Sequence, residues 1–388
     1  MSSCNGDIYD NIKEYADSET VYPAGYEQDH VSYKAGFERV EIYLTEDLDE
    51  EPYLPKAKKT VVEFGDESRE FTPARTFVNV TGLSLPQTYH FKIFTEDEFG
   101  NRSTPVEISG KPFTDEDVNA LVVLTSTASL VSSGIIKFQE AADIFTFCGA
   151  DYTYTDKNSV KQSGQSNSAL FLVNNLPDGQ TTPVNVNFHI LPKNAIDTLV
   201  VSNLVEVTAM TQQAFDDYIN ETQPFNGVTH TVSAAATCTI PAADFDLGGR
   251  EIAFHKSSTG GASAYLTYRP AGGDVSMEYG LDANSGLIGF GWTTVGDWFY
   301  YTIDVQDPGE YKISYLLATP NNGCQTTITI DEVDYFGIRN VLNTGGWANG
   351  RWFDMPESVF LSAGKHKLKW TLVNSAFNFY GLQITKVD

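Results

Sequence analysis

The sequence predicts an all-β chain of two or three domains, and three observations carry that expectation. At 388 residues the chain is longer than one ordinary domain. It holds 20 Tyr, 24 Phe and 31 Gly among many Thr and Val, a mixture of strand formers and turn residues. Its clearest local pattern is strand alternation. After Trp298, the residues Phe299, Tyr301, Ile303 and Val305 fall on one face, and Tyr300, Thr302 and Asp304 on the other. Pro308-Gly309 then turns the chain, and Tyr311, Ile313, Tyr315 and Leu317 alternate back, which predicts a β-hairpin.

Composition narrows the partners. Apolar residues make up 41% and charged residues 20%, enough to bury cores in each domain, and the net charge is −26 with a pI near 4.4. Such a surface repels phosphate backbones and anionic headgroups, so nucleic-acid binding is not expected, whereas an uncharged polysaccharide is compatible with it. Cys4, Cys148, Cys238 and Cys324 lie far apart with no C-x-x-C, which indicates neither a zinc site nor a disulfide framework. Cys148 ends the apolar run Ile144-Phe145-Thr146-Phe147 and is expected in a core. No apolar run reaches membrane-spanning length; Ala120 to Val131 is interrupted by Thr and Ser.

Taken in order, residues 1–30 read as a polar tether broken at Tyr22-Pro23-Ala24-Gly25. Residues 31–117 carry short strand patterns at Phe37–Leu44, Val61–Phe64, Thr76–Val80, Thr88–Thr95 and Val106–Ile108, a spacing that predicts a β-sandwich. Residues 118–209 repeat that pattern as a second, Ig-like sandwich. Its strands are Ala120–Leu130, Ile135–Phe138, Ile144–Cys148, Ala169–Val173 and Val184–Leu191, with a long hairpin or exposed loop over 149–168. Residues 210–228 read as a linker with a short helix capped by Thr211 and a break at Pro224. The third domain is residues 229–388.

The run VTGLSLPQTYHFKIFTEDEFGNRSTPVEISG, Val80 to Gly110, resembles the end of a fibronectin type III domain, where a turn leucine and a tyrosine in the next strand lock the sandwich. T-E-D-E-F-G-N-R-S within it is similar to a domain at the N-terminus of Bacteroidetes surface lipoproteins. Met1-Ser2-Ser3-Cys4 followed by Asn5-Gly6-Asp7 resembles a lipoprotein start with its hydrophobic leader removed. That resemblance implies lipid attachment at Cys4 and a place on the cell surface, at the outer membrane. Contact with the membrane would then run only through the anchor.

The third domain carries a stronger resemblance. Ile240-Pro241-Ala242-Ala243-Asp244-Phe245-Asp246, Tyr268-Arg269 with Gly273-Asp274-Val275, Gly291-Trp292 with Gly296-Asp297-Trp298, and Gly309-Glu310-Tyr311 are followed by Asn343-Thr344-Gly345-Gly346-Trp347 and Ala363-Gly364-Lys365-His366. Asn378-Phe379 with Leu382-Gln383-Ile384 closes the series. In this order the segments resemble carbohydrate-binding module family 6. The resemblance implies a β-jelly roll whose edge loops form a cleft, with two aromatic rings sandwiching a sugar and an Asn fixing its hydroxyls. It maps the platforms to Trp292 and Trp347 and the amide to Asn378. Flat sugar C–H faces suit an exposed ring, and hydroxyls need the paired donor and acceptor of an amide.

The other aromatics divide. Phe290 replaces Trp292 if the register is displaced by two, and Trp352 is a candidate to widen the cleft. Trp298 and Trp370 are expected in the core, the latter sharing strand parity with His366, Leu368 and Leu372. The family commonly carries a structural calcium held partly by a Glu of its opening motif. Ala243 stands there, which leaves Asp244, Asp246 and Asp388; no cofactor and no metal are expected.

An enzyme is not expected. His30, His90, His189, His230, His255 and His366 are scattered, and no H-E-x-x-H, G-x-S-x-G or phosphate loop occurs. The three β modules leave no segment for a catalytic barrel. The leading expectation is a non-catalytic surface glycan-binding lipoprotein. It resembles those of Bacteroidetes polysaccharide-utilisation systems, whose partner is a TonB-dependent transporter complex. The alternatives are an adhesion or protein-interaction protein using the jelly roll as scaffold, and a cryptic glycoside hydrolase.

Overall fold

A computed structural model describes residues 22–46, 54–139, 144–257, 268–269 and 278–387. Cys4, Asp388 and the Gly273-Asp274-Val275 element lie outside the described residues.

The first sandwich sets a three-stranded sheet (Ser32–Gly36, Arg39–Tyr43, Phe77–Thr81) against a four-stranded one (Glu67–Phe71, Lys59–Phe64, Tyr89–Glu96, Val106–Gly110). Alternate residues meet between them: Val40, Ile42, Val78 and Val80 from one sheet, Val62, Phe64, Phe91 and Ile93 from the other. Leu83 is buried in the turn before the Tyr89 strand, and the Tyr89 hydroxyl accepts the Leu85 N–H at 3.4 Å. The tether reading does not hold for its described end. Tyr26 is buried in this core, its hydroxyl 2.5 Å from Thr60 Oγ1 and donating to the Arg75 carbonyl.

The second sandwich packs a four-stranded sheet (Lys161–Ser166, Phe145–Thr155, Thr181–Pro192, Leu199–Thr208) on a three-stranded one (Leu170–Asn174, Ser133–Phe138, Thr125–Leu130). The polar 149–168 stretch is a hairpin, with Thr155 opposite Lys161. The strand expected from Ala120 begins at Thr125. Before it, Thr114 and Asp117 form a capping box that opens the short helix Asp115–Ala120. Cys148 is exposed, not core: Phe145 and Phe147 face the second core, and strand parity sends Cys148 outward with Thr146, ahead of a bulge between Phe147 and Gly149.

Specific contacts tie the three units together. Arg39 forks onto both carboxylate oxygens of Asp197 at 2.9 and 2.7 Å, and Asp197 holds its pKa below the ordinary value mainly through that hydrogen bond. Lys137 of the second sandwich donates to the carboxylate and carbonyl of Asp334 in the third domain. The helix Gln212–Asn220, capped by Thr211 as expected, ends over the fully buried Lys367, whose ammonium donates to the Tyr218 carbonyl. The segment read as a linker therefore packs on the jelly roll.

The third unit is a jelly-roll sandwich. One sheet runs His230–Val232, Trp298–Val305, Gly364–Asn374, Cys324–Ile330, Arg339–Val341. The other runs Glu278–Leu281, Ile288–Gly291, Asn378–Lys386, Gly309–Ala318, Arg351–Asp354. The hairpin expected around Pro308-Gly309 is not formed. Trp298–Val305 pairs with Gly364–Asn374 in the first sheet, while Gly309–Ala318 pairs with Asn378–Lys386 in the second. The turn carries the chain across the sandwich. Alternation shows which side chains face the core and says nothing of which strand lies alongside. Between the sheets, Trp370 stacks on Phe379 with centroids 4.2 Å apart, next to Phe290, Phe299 and Phe377.

Candidate functional site

At one edge of the jelly roll the loops enclose a cleft of about 750 Å³. Its walls come from the Trp292 turn, the Trp347 loop and the start of the closing strand at Asn378, stretches far apart in sequence that the sheet order brings together. Trp292 and Trp347 both line it and are 59% and 47% exposed, unusual for residues of this size in loops. Thr293, Thr294, Asn378 and Tyr380 supply the polar side chains. No charged side chain lines it among the described residues.

The Trp347 loop is held from below. Its carbonyl accepts the Asn378 Nδ2 at 2.7 Å and the Tyr380 hydroxyl at 3.1 Å. Thr344, three residues earlier, exchanges hydrogen bonds with the backbone of Thr319, accepting its N–H and donating to its carbonyl. Asn378 Oδ1 lies over Gly291, where an added Cβ would meet it at 2.5 Å, so a side chain at 291 would push the amide out of this position. The Trp292 turn is tied to the floor by Thr293, which is 5% exposed and donates from Oγ1 to the Phe377 carbonyl at 2.6 Å.

Of the residues singled out from the sequence, Trp292, Trp347 and Asn378 meet in this cleft. Phe290 is 1% exposed and packs 4.4 Å from Phe299, so it belongs to the floor and core and does not stand in for Trp292. Trp352 is not among the cleft residues. It sits on the strand Arg351–Asp354 opposite Leu316, which forms a small apolar cluster with Ala318 and Tyr380. Trp370 is core as expected. Trp298 is not: it lies half-buried on the outer face of its sheet, its ring 6.4 Å from His255 with Lys369 4.7 Å above it. Strand parity with Phe299 inward forces Trp298 outward. Tyr380 was missed by the sequence reading, although its position two residues after Asn378 on one strand puts both on the same face.

The residues at the opening motif do not suit a hard cation. The Asp246 carboxylate is occupied by Thr222 Oγ1, Thr302 N–H and Thr302 Oγ1. Asp244 accepts the Tyr268 hydroxyl at 2.6 Å, and burial raises its pKa. The Arg269 guanidinium, stacked 3.5 Å from the Phe245 ring, donates to the carbonyls of Ala243, Phe245 and Asp246. Those oxygens already face a fixed positive group, and among the described residues no three His, Cys, Asp or Glu come together as a metal site.

Comparison with known proteins gives partial matches. Beta-agarase AgaA of Microbulbifer thermotolerans is 25% identical over 113 residues, 28% of this chain and 23% of that protein, so the chain spans under a quarter of its curated relative. Among solved structures, the C-terminal CBM6 of LamC, a marine laminarinase from Zobellia galactanivorans, is 21% identical. It covers 39% of this chain and 100% of that one at a TM-score of 0.29. The module CBM6cm-2 from Cellvibrio mixtus lichenase 5A, in complex with cellotriose, is 22% identical and covers 39% and 98% at a TM-score of 0.28. Residues 267–386, which bring Trp292, Trp347 and Asn378 to one cleft, match the family model described as carbohydrate binding module (family 6).

Proposed function

We propose that this protein is a non-catalytic glycan binder whose cleft holds one or two sugar units of a neutral polysaccharide between Trp292 and Trp347. The observation that carries this reading is the pairing of two exposed indoles in one cleft that no charged side chain lines among the described residues, on a chain of net charge −26. An apolar cleft with few polar groups suits C–H faces, and the acidic surface disfavours uronate or sulfated chains. Asn378 directs Nδ2 to the Trp347 carbonyl and has its Oδ1 to offer a sugar hydroxyl.

The affinity of one such cleft is limited. A hexose has about 11 non-hydrogen atoms, and at ~0.3 kcal/mol per atom it binds with about 3–4 kcal/mol, near millimolar. Useful capture then needs several subsites or many copies on a surface. That arithmetic favours a display role: Cys4 carries a lipid anchor at the outer membrane, the two sandwiches hold the jelly roll outward, and a TonB-dependent transporter complex takes up the captured oligosaccharide. The test is affinity electrophoresis on a panel of neutral and anionic polysaccharides. Retardation by a neutral polymer, lost in Trp347→Ala, supports the reading. Release of reducing sugar from any panel polymer would replace it with a hydrolase.

A further inference from the structure

Trp292 has a backbone φ of +56°, in the left-handed region that a bulky residue rarely adopts, and its ring is 59% exposed. The support lies beneath the turn. Lys256 is 1% exposed and donates from Nζ to the Trp292 carbonyl at 2.5 Å. The same ammonium lies 3.7 Å from Asp297 Oδ2, and Asp297 is fully buried. Asp297 in turn accepts the Thr294 N–H at 2.8 Å on Oδ2, and the Ser257 N–H and Oγ at 2.8 and 3.0 Å on Oδ1. Arg250 donates to the Lys256 carbonyl. Neither Lys256 nor Asp297 lines the cleft.

We propose that Lys256 and Asp297 are a buried positioning pair that holds Trp292 in its left-handed, outward-presented conformation. A buried ion pair adds little net stability, because desolvation offsets its attraction. What this one supplies is a donor at a fixed point under the Trp292 carbonyl and an acceptor at a fixed point under the Thr294 N–H. Together they clamp both sides of the turn. Lys256 Nζ holds the Trp292 carbonyl and Asp297 Oδ2 holds the Thr294 N–H, so a turn relaxed to right-handed φ at Trp292 gives up at least one of these contacts. The functional consequence rests on Trp292 being a sugar platform; the positioning itself does not.

The clamp is pH-sensitive. Burial pulls the Lys256 pKa below the ordinary lysine value, outweighing the attraction of Asp297, and Arg250 adds to the lowering. Asp297 and Arg250 are the charged groups that face it among the described residues. Raising the pH therefore discharges Lys256 below the usual lysine range of about 10.4.

The test uses the full chain labelled with 5-fluorotryptophan, which gives one fluorine resonance for each of the five Trp. Trp292→Phe assigns the resonance of interest. On alkaline titration of the wild type, that resonance moves or broadens, while Lys256→Arg, whose guanidinium stays charged, keeps it in place. Lys256→Met and Asp297→Asn shift or double it at neutral pH and leave Trp370 unmoved. A wild-type Trp292 resonance that does not respond to alkaline pH, or a Lys256→Met spectrum matching wild type, overturns the proposal. The wild-type titration needs no variant to fold. Because no glycan is present, failure of the sugar reading and failure of the clamp are separate results.

Discussion

The side-chain amide of Asn378 donates to the carbonyl of Trp347 at 2.7 Å, joining the closing strand of the jelly roll to the loop that carries the second cleft indole. The same amide that lines the cleft thus also fixes the Trp347 loop. Asn378→Ala should reduce glycan affinity by more than the loss of a single hydrogen bond, because the Trp347 loop is released as well. Tyr380→Phe removes only the second, 3.1 Å contact and should lose about threefold, near the ~0.5–1 kcal/mol of a neutral hydrogen bond. Isothermal titration of both variants checks the order; equal losses would mean that Asn378 does not anchor the loop.

Trp292→Ala and Trp347→Ala should each weaken binding by about 2 kcal/mol, roughly thirtyfold, with little change in melting temperature, since both rings are largely exposed. Trp352→Ala, outside the cleft, should leave affinity at the wild-type value. Trp370→Ala behaves in the opposite way. It removes a fully buried ring stacked on Phe379 and should destabilise the jelly roll by about 3–5 kcal/mol in denaturant unfolding.

His366 makes stability depend on pH. Its Nδ1 lies 2.6 Å from Asp331 Oδ2 and its Nε2 2.9 Å from the Ser362 carbonyl, two acceptors that together require the imidazolium. Burial alone would lower its pKa, but the hydrogen bond and charge of Asp331 outweigh it, so the folded value is raised. The group therefore contributes its full stability below the unfolded histidine value of about 6.5 and loses it as pH rises through the folded value. Melting temperature against pH should fall over that window in the wild type and lose that component in His366→Gln.

Chelation should have no effect on folding. Arg269 donates to the carbonyls of Ala243 and Asp246, and the Asp246 carboxylate accepts threonine donors, so these oxygens are already satisfied. Melting curves with EDTA and with added calcium should superimpose. A rise in melting temperature with calcium would show a cation site outside these contacts.

What the sequence made legible follows from what alternation and loop composition report. The all-β architecture, the core place of Trp370 and the cleft residues Trp292, Trp347 and Asn378 were readable from strand parity, glycine-flanked loops and motif order. Pairing was not: Val305 and Tyr311 both point into the core from opposite sheets, and their patterns are the same as those of a hairpin. Cys148 and Trp298 were misplaced for the same reason: each adjoins inward aromatics, Phe147 and Phe299, and strand parity with those rings turns it outward. Lys256 carried no local signal at all. Its role comes from a turn that is distant in sequence.

The central claim is that the cleft between Trp292 and Trp347 binds a neutral glycan. Affinity electrophoresis of wild type, Trp292→Ala and Trp347→Ala through neutral polysaccharide gels tests it most directly. The account predicts that at least one gel retards the wild type and that either substitution restores free mobility. Wild-type mobility unaffected by every gel, or retardation that survives both substitutions, would contradict it.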